Sequence, residues 1–255
     1  MARPTTPSTL AAVLGYMLAT GAPWPALVAW WRTRLRKRGT RQFDQAAITE
    51  AEDVARHTGT FGPDWFSHVV PHWLRAFEVL GGPAQPLDVL EIGSWEGRSA
   101  CYLLRKLPQA RLTVVDTWGG SDEMLRTREE RARVAEQRFD LNTRPWAARV
   151  TKHKMASDAF FQARPPGPQF DLVYVDGSHH ADDVMRDALS AFAALRPGGV
   201  LIFDDYLWRF YPRPVQNPAG AINAFLRLKA GEFDFLAVDY QVLVRKKPQA
   251  ASDPA

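Results

Sequence analysis

The stretch "FDLVYVDGSHHADDVMRDALSAFAALRPGGVLIFDDY" (residues 170–206) contains two apolar runs on either side of a helical pattern. The first run ends at Asp176, and the second ends at Asp204 and Asp205. Short apolar runs that alternate with helices are typical of parallel strands joined by a crossover helix. Because parallel strands end at the same edge of a sheet, the stretch predicts that these three carboxylates gather at one edge.

The same alternation continues on both sides of this stretch. Apolar runs of strand length lie at 87–93, 111–116, 148–154, 170–176, 199–205, 233–238 and 240–246. They predict an α/β fold, a Rossmann-like doubly wound sheet of seven strands that is mostly parallel and has helices on both faces. The last two runs are too close for a crossover, so we expect an antiparallel hairpin with a reversed final strand.

The chain divides into three predicted parts. Residues 1–60 form an N-terminal helical extension with a basic patch, residues 61–247 form the main domain, and residues 248–255 form a disordered tail. The extension contains an apolar segment, residues 9–31, that is broken near its middle by glycine and proline. A membrane-spanning helix needs about 20 uninterrupted apolar residues. We therefore predict two short helices in this segment.

The basic surplus of the chain is local. The sequence has 32 basic and 28 acidic residues, and six of the basic ones lie in residues 32–41 without any acid. The rest of the chain has no positive surplus, so we expect no nucleic-acid partner. Two interpretations of residues 9–41 stay open: a cap or homo-oligomer contact, which we favour, and weak contact of an interfacial helix with an anionic membrane.

The sequence favours a reducing compartment. It has a single cysteine, Cys101, which cannot form an internal disulfide. We therefore expect a cytoplasmic protein, with membrane attachment through the N-terminal segment as the open alternative.

A glycine-bearing turn follows the first strand run. Gly93 and Gly97 let the backbone approach a ligand, but their spacing differs from the G-x-G-x-x-G pattern of pyrophosphate binders. The second run ends at Asp116, where a carboxylate can accept both hydroxyls of a ribose. After the third run, Ser157 and Asp158 could contact an adenine, although Ser157 is equally well explained as a helix N-cap. These residues together favour a nucleoside-containing ligand.

The motifs "EIGSWEG" (91–97), "VVDTW" (114–118) and residues 170–206 resemble the class I S-adenosylmethionine-dependent methyltransferases. Within that class they are similar to the metal-dependent small-molecule O-methyltransferases of the catechol and macrolide-sugar types. The resemblance covers about residues 60–246. It implies that the cofactor is S-adenosylmethionine and that the following residues hold it: Glu91, Gly93, Ser94, Gly97, Asp116, Trp118, Ser157 and Asp158.

The three aspartates at the strand ends predict a metal site. Crowded carboxylates repel one another unless a cation neutralises them, and oxygen ligands favour Mg2+ or another divalent cation. The spacing of Asp176, Asp204 and Asp205 is similar to that of the metal-binding acids in these O-methyltransferases. The alternative is three independent, solvated acids at strand ends.

A histidine next to this cluster is the predicted base. His179 follows Asp176 by three residues, where related enzymes carry a lysine or histidine base, and an unperturbed histidine titrates near neutral pH. The alternative for this segment is a plain helix start. We expect methyl transfer to a small-molecule acceptor that carries a hydroxyl, such as a sugar or a vicinal diol.

Two other functions compete with this interpretation. One is an enzyme of the same fold with other chemistry, a related hydroxylase or a methyltransferase without metal, since fold does not fix function. The other is a membrane-docking or RNA-docking module with a vestigial methyltransferase body. The intact strand-end acids argue against the vestigial interpretation.

Overall fold

The computed structural model describes residues 5–120 and 128–248, with the side chains of 128–132 excepted. Apart from residue 248, the predicted tail at 248–255 lies outside the described residues. The strands are β1 (Asp88–Ile92), β2 (Arg111–Asp116), β3 (Val150–Lys154), β4 (Phe170–Val175), β5 (Leu195–Phe203), β6 (Phe233–Val238) and β7 (Val242–Lys246).

All seven strands form one sheet in the order β3-β2-β1-β4-β5-β7-β6. The neighbours from β3 to β5 pair in parallel, while β7 is antiparallel to both β5 and β6. This confirms the predicted doubly wound sheet with a reversed final strand. Strand β5 begins earlier than predicted because Leu195 pairs with Phe170 across an irregularity in the register.

Helices cover both faces of the sheet, over two separate hydrophobic clusters. They are α1 (Leu10–Ala19), α2 (Trp24–Gly39), α3 (Arg41–Thr58), α4 (Val70–Val79), α5 (Arg98–Lys106), α6 (Arg128–Thr143), α7 (Ser157–Ala163), α8 (Ala181–Ala194) and α9 (Pro218–Leu228). Side chains of alternate residues in a strand point to opposite faces, which explains why buried strands supply both clusters.

The N-terminal helices are packed into the main body of the protein. The two helices predicted within residues 9–31 are α1 and the start of α2, and both contribute buried residues to one of the two clusters. Thr33 of α2 accepts a hydrogen bond at Oγ1 from the backbone N–H of Val238 at 3.1 Å, which fixes the helix against β6. Among the described helices, none is long and apolar enough to cross a membrane.

The carboxyl ends of β1 and β4 approach each other closely at Gly93. This residue has φ of +81°, and a Cβ built on it would lie 2.1 Å from the carbonyl oxygen of Asp176. Any larger residue would push the two strand ends apart. Gly93 therefore brings the turn after β1 next to the first of the predicted metal-binding acids.

Candidate functional site

The turn after β1 is organised by the carboxylate of Asp116 at the end of β2. One carboxylate oxygen accepts the backbone N–H groups of Ser94 at 2.8 Å and Trp95 at 2.9 Å. The other accepts the backbone N–H of Trp118 at 2.6 Å. Two carboxylate oxygens have about four acceptor positions between them, so Asp116 keeps capacity for a further donor. Its first role is to shape the turn, which the sequence did not reveal.

Glu91 is buried beneath the same turn. Its side chain is 1% exposed, and one carboxylate oxygen accepts a hydrogen bond from the hydroxyl of Ser99. The Ser94 hydroxyl lies beside this carboxylate and favours its charged form, but within the described part of the chain neither this hydroxyl nor the second carboxylate oxygen makes a hydrogen bond of regular geometry. Burial raises the pKa of Glu91 to about 8. Unsatisfied buried polar atoms are uncommon, and a polar ligand at the turn would satisfy these two.

Trp118 is a packed residue. It is 3% exposed, its indole N–H donates to the carbonyl of Trp95 at 2.8 Å, and its ring lies 5.2 Å from that of Phe139. The ammonium of Lys152 lies 4.5 Å from the ring centre. These contacts account for the buried indole without a ligand, and its role near an adenine stays a prediction.

The start of α7 differs from one interpretation of the sequence. The N-cap residue of this helix is Ala156, and Ser157 is the first helical residue, so Ser157 is not the N-cap. Its hydroxyl instead forms a hydrogen bond with Asp187 of α8. Asp158 is exposed and accepts the backbone N–H of Ala159 at 2.7 Å. Contact of either residue with an adenine stays a prediction.

Asp176 and Asp204 lie at the ends of the neighbouring strands β4 and β5 and share one partner. The Tyr174 hydroxyl lies 2.8 Å from a carboxylate oxygen of Asp176 and also contacts Asp204. Burial and the neighbouring carboxylates raise the pKa of Asp176 well above its usual range and that of Asp204 to about 7. The two carboxylates are thus brought together by one hydroxyl.

The next residue, Asp205, points to a different set of partners. It has φ of +58°, in the left-handed region that few residues other than glycine, asparagine and aspartate adopt. One of its oxygens lies 2.7 Å from Nε2 of His179, and the other accepts the hydroxyl of Tyr240 at 2.6 Å. Burial alone would raise the pKa of Asp205, but the adjacent His179 and the Tyr240 hydroxyl hold it below the usual range.

Three side chains form a group that could hold a metal ion. Asp176, His179 and Asp205 each offer one ligand atom, and these atoms lie within 4.8 Å of one another. Asp204, which the sequence predicted as a ligand, lies beside this group and contacts Tyr174. Two carboxylates and an imidazole suit divalent ions such as Mg2+ or Mn2+. The assignment of individual ligands stays a prediction.

An aromatic wall borders this group. The ring of Trp208, which is 7% exposed, lies 4.4 Å from the ring of His179. The adjacent His180 is exposed, and its ring stacks on Tyr211 at 4.3 Å. The two neighbouring histidines thus have different surroundings, and α8 begins directly after them at Ala181.

Two tyrosines of the site were missed from the sequence. Tyr174 precedes Asp176 by two residues, so strand alternation puts both side chains on the same face and could have identified it. Tyr240 lies between β6 and β7, and no local pattern links it to Asp205.

The sequence matches one protein family. A family model described as a methyltransferase domain matches residues 90–206, just under half of the chain, and this range includes both the turn after β1 and the strand-end acids. No protein among those of curated function matches the sequence.

Several solved structures have a similar fold. A protein from Corynebacterium glutamicum is 18% identical with a TM-score of 0.52, and the match covers 86% of this chain and 98% of that one. The MycE methyltransferase of the mycinamycin biosynthetic pathway, in complex with Mg, SAH and mycinamycin VI, is 19% identical with a TM-score of 0.55. That match covers 80% of this chain and 56% of MycE. At these identities the likeness shows a shared fold.

Proposed function

We propose that the chain is a class I S-adenosylmethionine-dependent methyltransferase, that it methylates a hydroxyl of a small molecule, and that a divalent cation assists the transfer. The observation that carries this proposal is the group formed by Asp176, His179 and Asp205 at the ends of β4 and β5. Carboxylates packed this closely repel one another, and a bound cation would neutralise them.

The turn after β1 fits the amino-acid part of S-adenosylmethionine. The unsatisfied oxygen of Glu91 would accept the ammonium group, and the Ser94 hydroxyl would bind a second polar group beside it. Asp116 would accept a ribose hydroxyl with its remaining lone pairs. When bound, the cofactor supplies an electrophilic methyl group on its sulfonium sulfur.

The strand-end acids fit a divalent cation. Asp176 and Asp205 would be carboxylate ligands, since burial with like charges makes their joint ionisation unfavourable until a cation is present. A bound cation would lower the pKa of the acceptor hydroxyl and fix its direction of approach. Asp204, the first residue after β5, is linked to Asp176 through the Tyr174 hydroxyl.

His179 is proposed as the general base. Its Nε2 faces Asp176 and Asp205, so it would take the proton of an acceptor hydroxyl bound beside them. In the reaction the hydroxyl oxygen forms a bond to the methyl carbon, the carbon–sulfur bond breaks, and the thioether leaves. Asp205 would stabilise the imidazolium that forms.

The test is methyl transfer from labelled S-adenosylmethionine to a panel of catechols and sugars. We expect activity on at least one vicinal hydroxyl acceptor, loss of activity in chelator, and recovery with Mg2+. Asp205→Asn should abolish the transfer, whereas Asp182→Asn, an exposed acid at the start of α8, should leave it unchanged. Full activity in chelator would overturn the metal-assisted mechanism.

The remaining parts of the proposal concern the setting of the enzyme. We propose a small-molecule acceptor and no nucleic-acid partner, because the chain has no positive surplus outside residues 32–41. We propose a cytoplasmic location because the chain has a single cysteine. We propose that residue 60 marks a change in sequence pattern. It does not mark a separate hydrophobic core, because α1 and α2 share a hydrophobic cluster with the sheet.

A further inference from the structure

Helix α2 has one face in the protein core and a large apolar stripe on the opposite face. Its buried residues are Ala26, Ala29, Trp30 and Thr33. Trp24, Trp31 and Leu35 are 75%, 46% and 47% exposed. Their spacing of seven and four residues puts them on one stripe of the helix. Large apolar side chains exposed along a continuous stripe usually mark an interaction surface.

Unpaired cations border this stripe. Arg32, Arg34 and Arg38 are exposed, and among the described residues none of them forms an ion pair with an acid. Lys37 of the same patch does pair with an acid, Asp239. Cations in the last turn of a helix also balance its dipole, but Arg32 and Arg34 lie before that turn.

We propose that this face of α2 docks on an anionic lipid surface. Tryptophan prefers the boundary between water and acyl chains, and Leu35 would enter the apolar region beside it. The flanking arginines would contact lipid phosphates, while their aliphatic stems lie along the helix. Helix α1 carries a further exposed apolar stripe at four-residue spacing, formed by Leu10, Leu14 and Leu18.

The positive charge of the N-terminal segment favours a lipid surface over a second copy of the chain as the partner of this face. Residues 1–43 contain seven basic residues and no acid. A symmetric contact between two α2 faces would therefore bring cations against cations with no acid from either helix to pair them. A nucleic acid would pair with the arginines, but its phosphates would leave the apolar stripe without a suitable partner.

The experiment is flotation of the full chain with phosphatidylcholine vesicles that contain or lack phosphatidylglycerol. We expect binding to the anionic vesicles only, and weaker binding in high salt. The Trp24→Ser/Trp31→Ser variant should bind less than the wild type. The Arg32→Glu/Arg38→Glu variant should bind at least about 30-fold less tightly, from the usual worth of two cations at a membrane surface.

Matched controls separate the docking face from general charge and from unfolding. Arg105→Glu/Arg144→Glu makes the same charge change at exposed positions outside α2 and should keep most of the vesicle binding. Circular dichroism checks that every variant is folded. Absence of binding to anionic vesicles, or equal loss in the control variant, would overturn the proposal.

Two further measurements at the same salt concentration test the other possible partners of this face. Sedimentation tests for a second copy of the chain, and an RNA-binding assay tests for a nucleic acid. A dimer that dissociates in Trp24→Ser/Trp31→Ser, without vesicle binding, would make the face a contact between copies. RNA binding without vesicle binding would make the patch a nucleic-acid site. Either outcome would contradict lipid docking.

Discussion

At the scale of single residues, His179 and His180 are neighbours with opposite surroundings. His179 is largely buried and lies 2.7 Å from Asp205, while His180 is exposed on Tyr211. We expect His179→Ala to lower kcat by about 100-fold to 10,000-fold, the usual worth of a positioned base, with little change in cofactor affinity. His180→Ala should have a much smaller effect. Steady-state kinetics of both variants decide the matter, and a larger loss at His180 would make the base assignment wrong.

Glu91 gives the cofactor site a pH dependence. Its pKa of about 8 means that the buried carboxyl is mostly neutral at pH 7, whereas an ammonium partner favours the carboxylate. Cofactor affinity should therefore gain from rising pH as Glu91 ionises. The ratio of wild-type to Glu91→Gln affinity cancels the titration of the cofactor itself. We expect this ratio, measured by calorimetry, to grow between about pH 6 and about pH 8.5. A constant ratio would mean that Glu91 does not contact the cofactor.

Asp116 has a double role that its variant must separate. Asp116→Ala should weaken S-adenosylmethionine binding by about 1 to 3 kcal/mol through the lost ribose partner. It should also destabilise the protein, because the N–H groups of Ser94 and Trp95 lose their acceptor. Calorimetry and denaturant unfolding measure the two effects. Lower stability with unchanged affinity would mean that the ribose is held elsewhere.

At the scale of elements, α1 supports the aromatic wall beside His179. The Tyr16 hydroxyl donates to the carbonyl of Trp208 at 3.1 Å, and Thr5 and Arg209 exchange two backbone hydrogen bonds of 2.8 and 3.0 Å. The wall is therefore built from both the loop after β5 and the N-terminal segment. The N-terminal segment therefore helps to fix the position of the loop that carries Trp208.

Loosening this support should affect the acceptor more than the cofactor. We expect Tyr16→Phe to reduce the free energy of unfolding by about 1 kcal/mol and to raise KM for the acceptor, with cofactor affinity unchanged. Thr33→Val is the matched control. Thr33 lies on the other N-terminal helix, α2, and the variant removes its buried hydrogen bond with the backbone N–H of Val238 in β6. An equal rise in KM in both variants would point to general destabilisation.

The sequence predicted the elements well and the side-chain directions less well. Strand and helix positions follow from apolar periodicity, which is a local property, and all seven strands were found. The different directions of Asp204 and Asp205 were not predictable, since they depend on a left-handed backbone at a residue other than glycine. The partner of Asp205 is Tyr240, which the chain brings close only by folding the β6–β7 hairpin.

At the scale of the whole molecule, the sheet brings separate parts of the site to one edge. The turn after β1, the acids after β4 and β5, and the wall supported by α1 all meet at the carboxyl ends of parallel strands. The exposed apolar stripe of α2 and its flanking arginines include none of these residues. The proposed chemistry and the proposed lipid docking can therefore be tested independently.

Titration of the purified protein with Mn2+, followed by electron paramagnetic resonance, tests the central claim most directly, because it needs no acceptor. We expect saturable binding in the wild type and in Asp182→Asn, and affinity lowered by more than about 10-fold in Asp176→Asn and Asp205→Asn. Near-normal Mn2+ affinity in His179→Ala would show that His179 is not needed as a metal ligand, as its proposed role as the base requires. If the wild type shows no saturable binding, or if the two aspartate variants bind as it does, the metal-assisted account is contradicted.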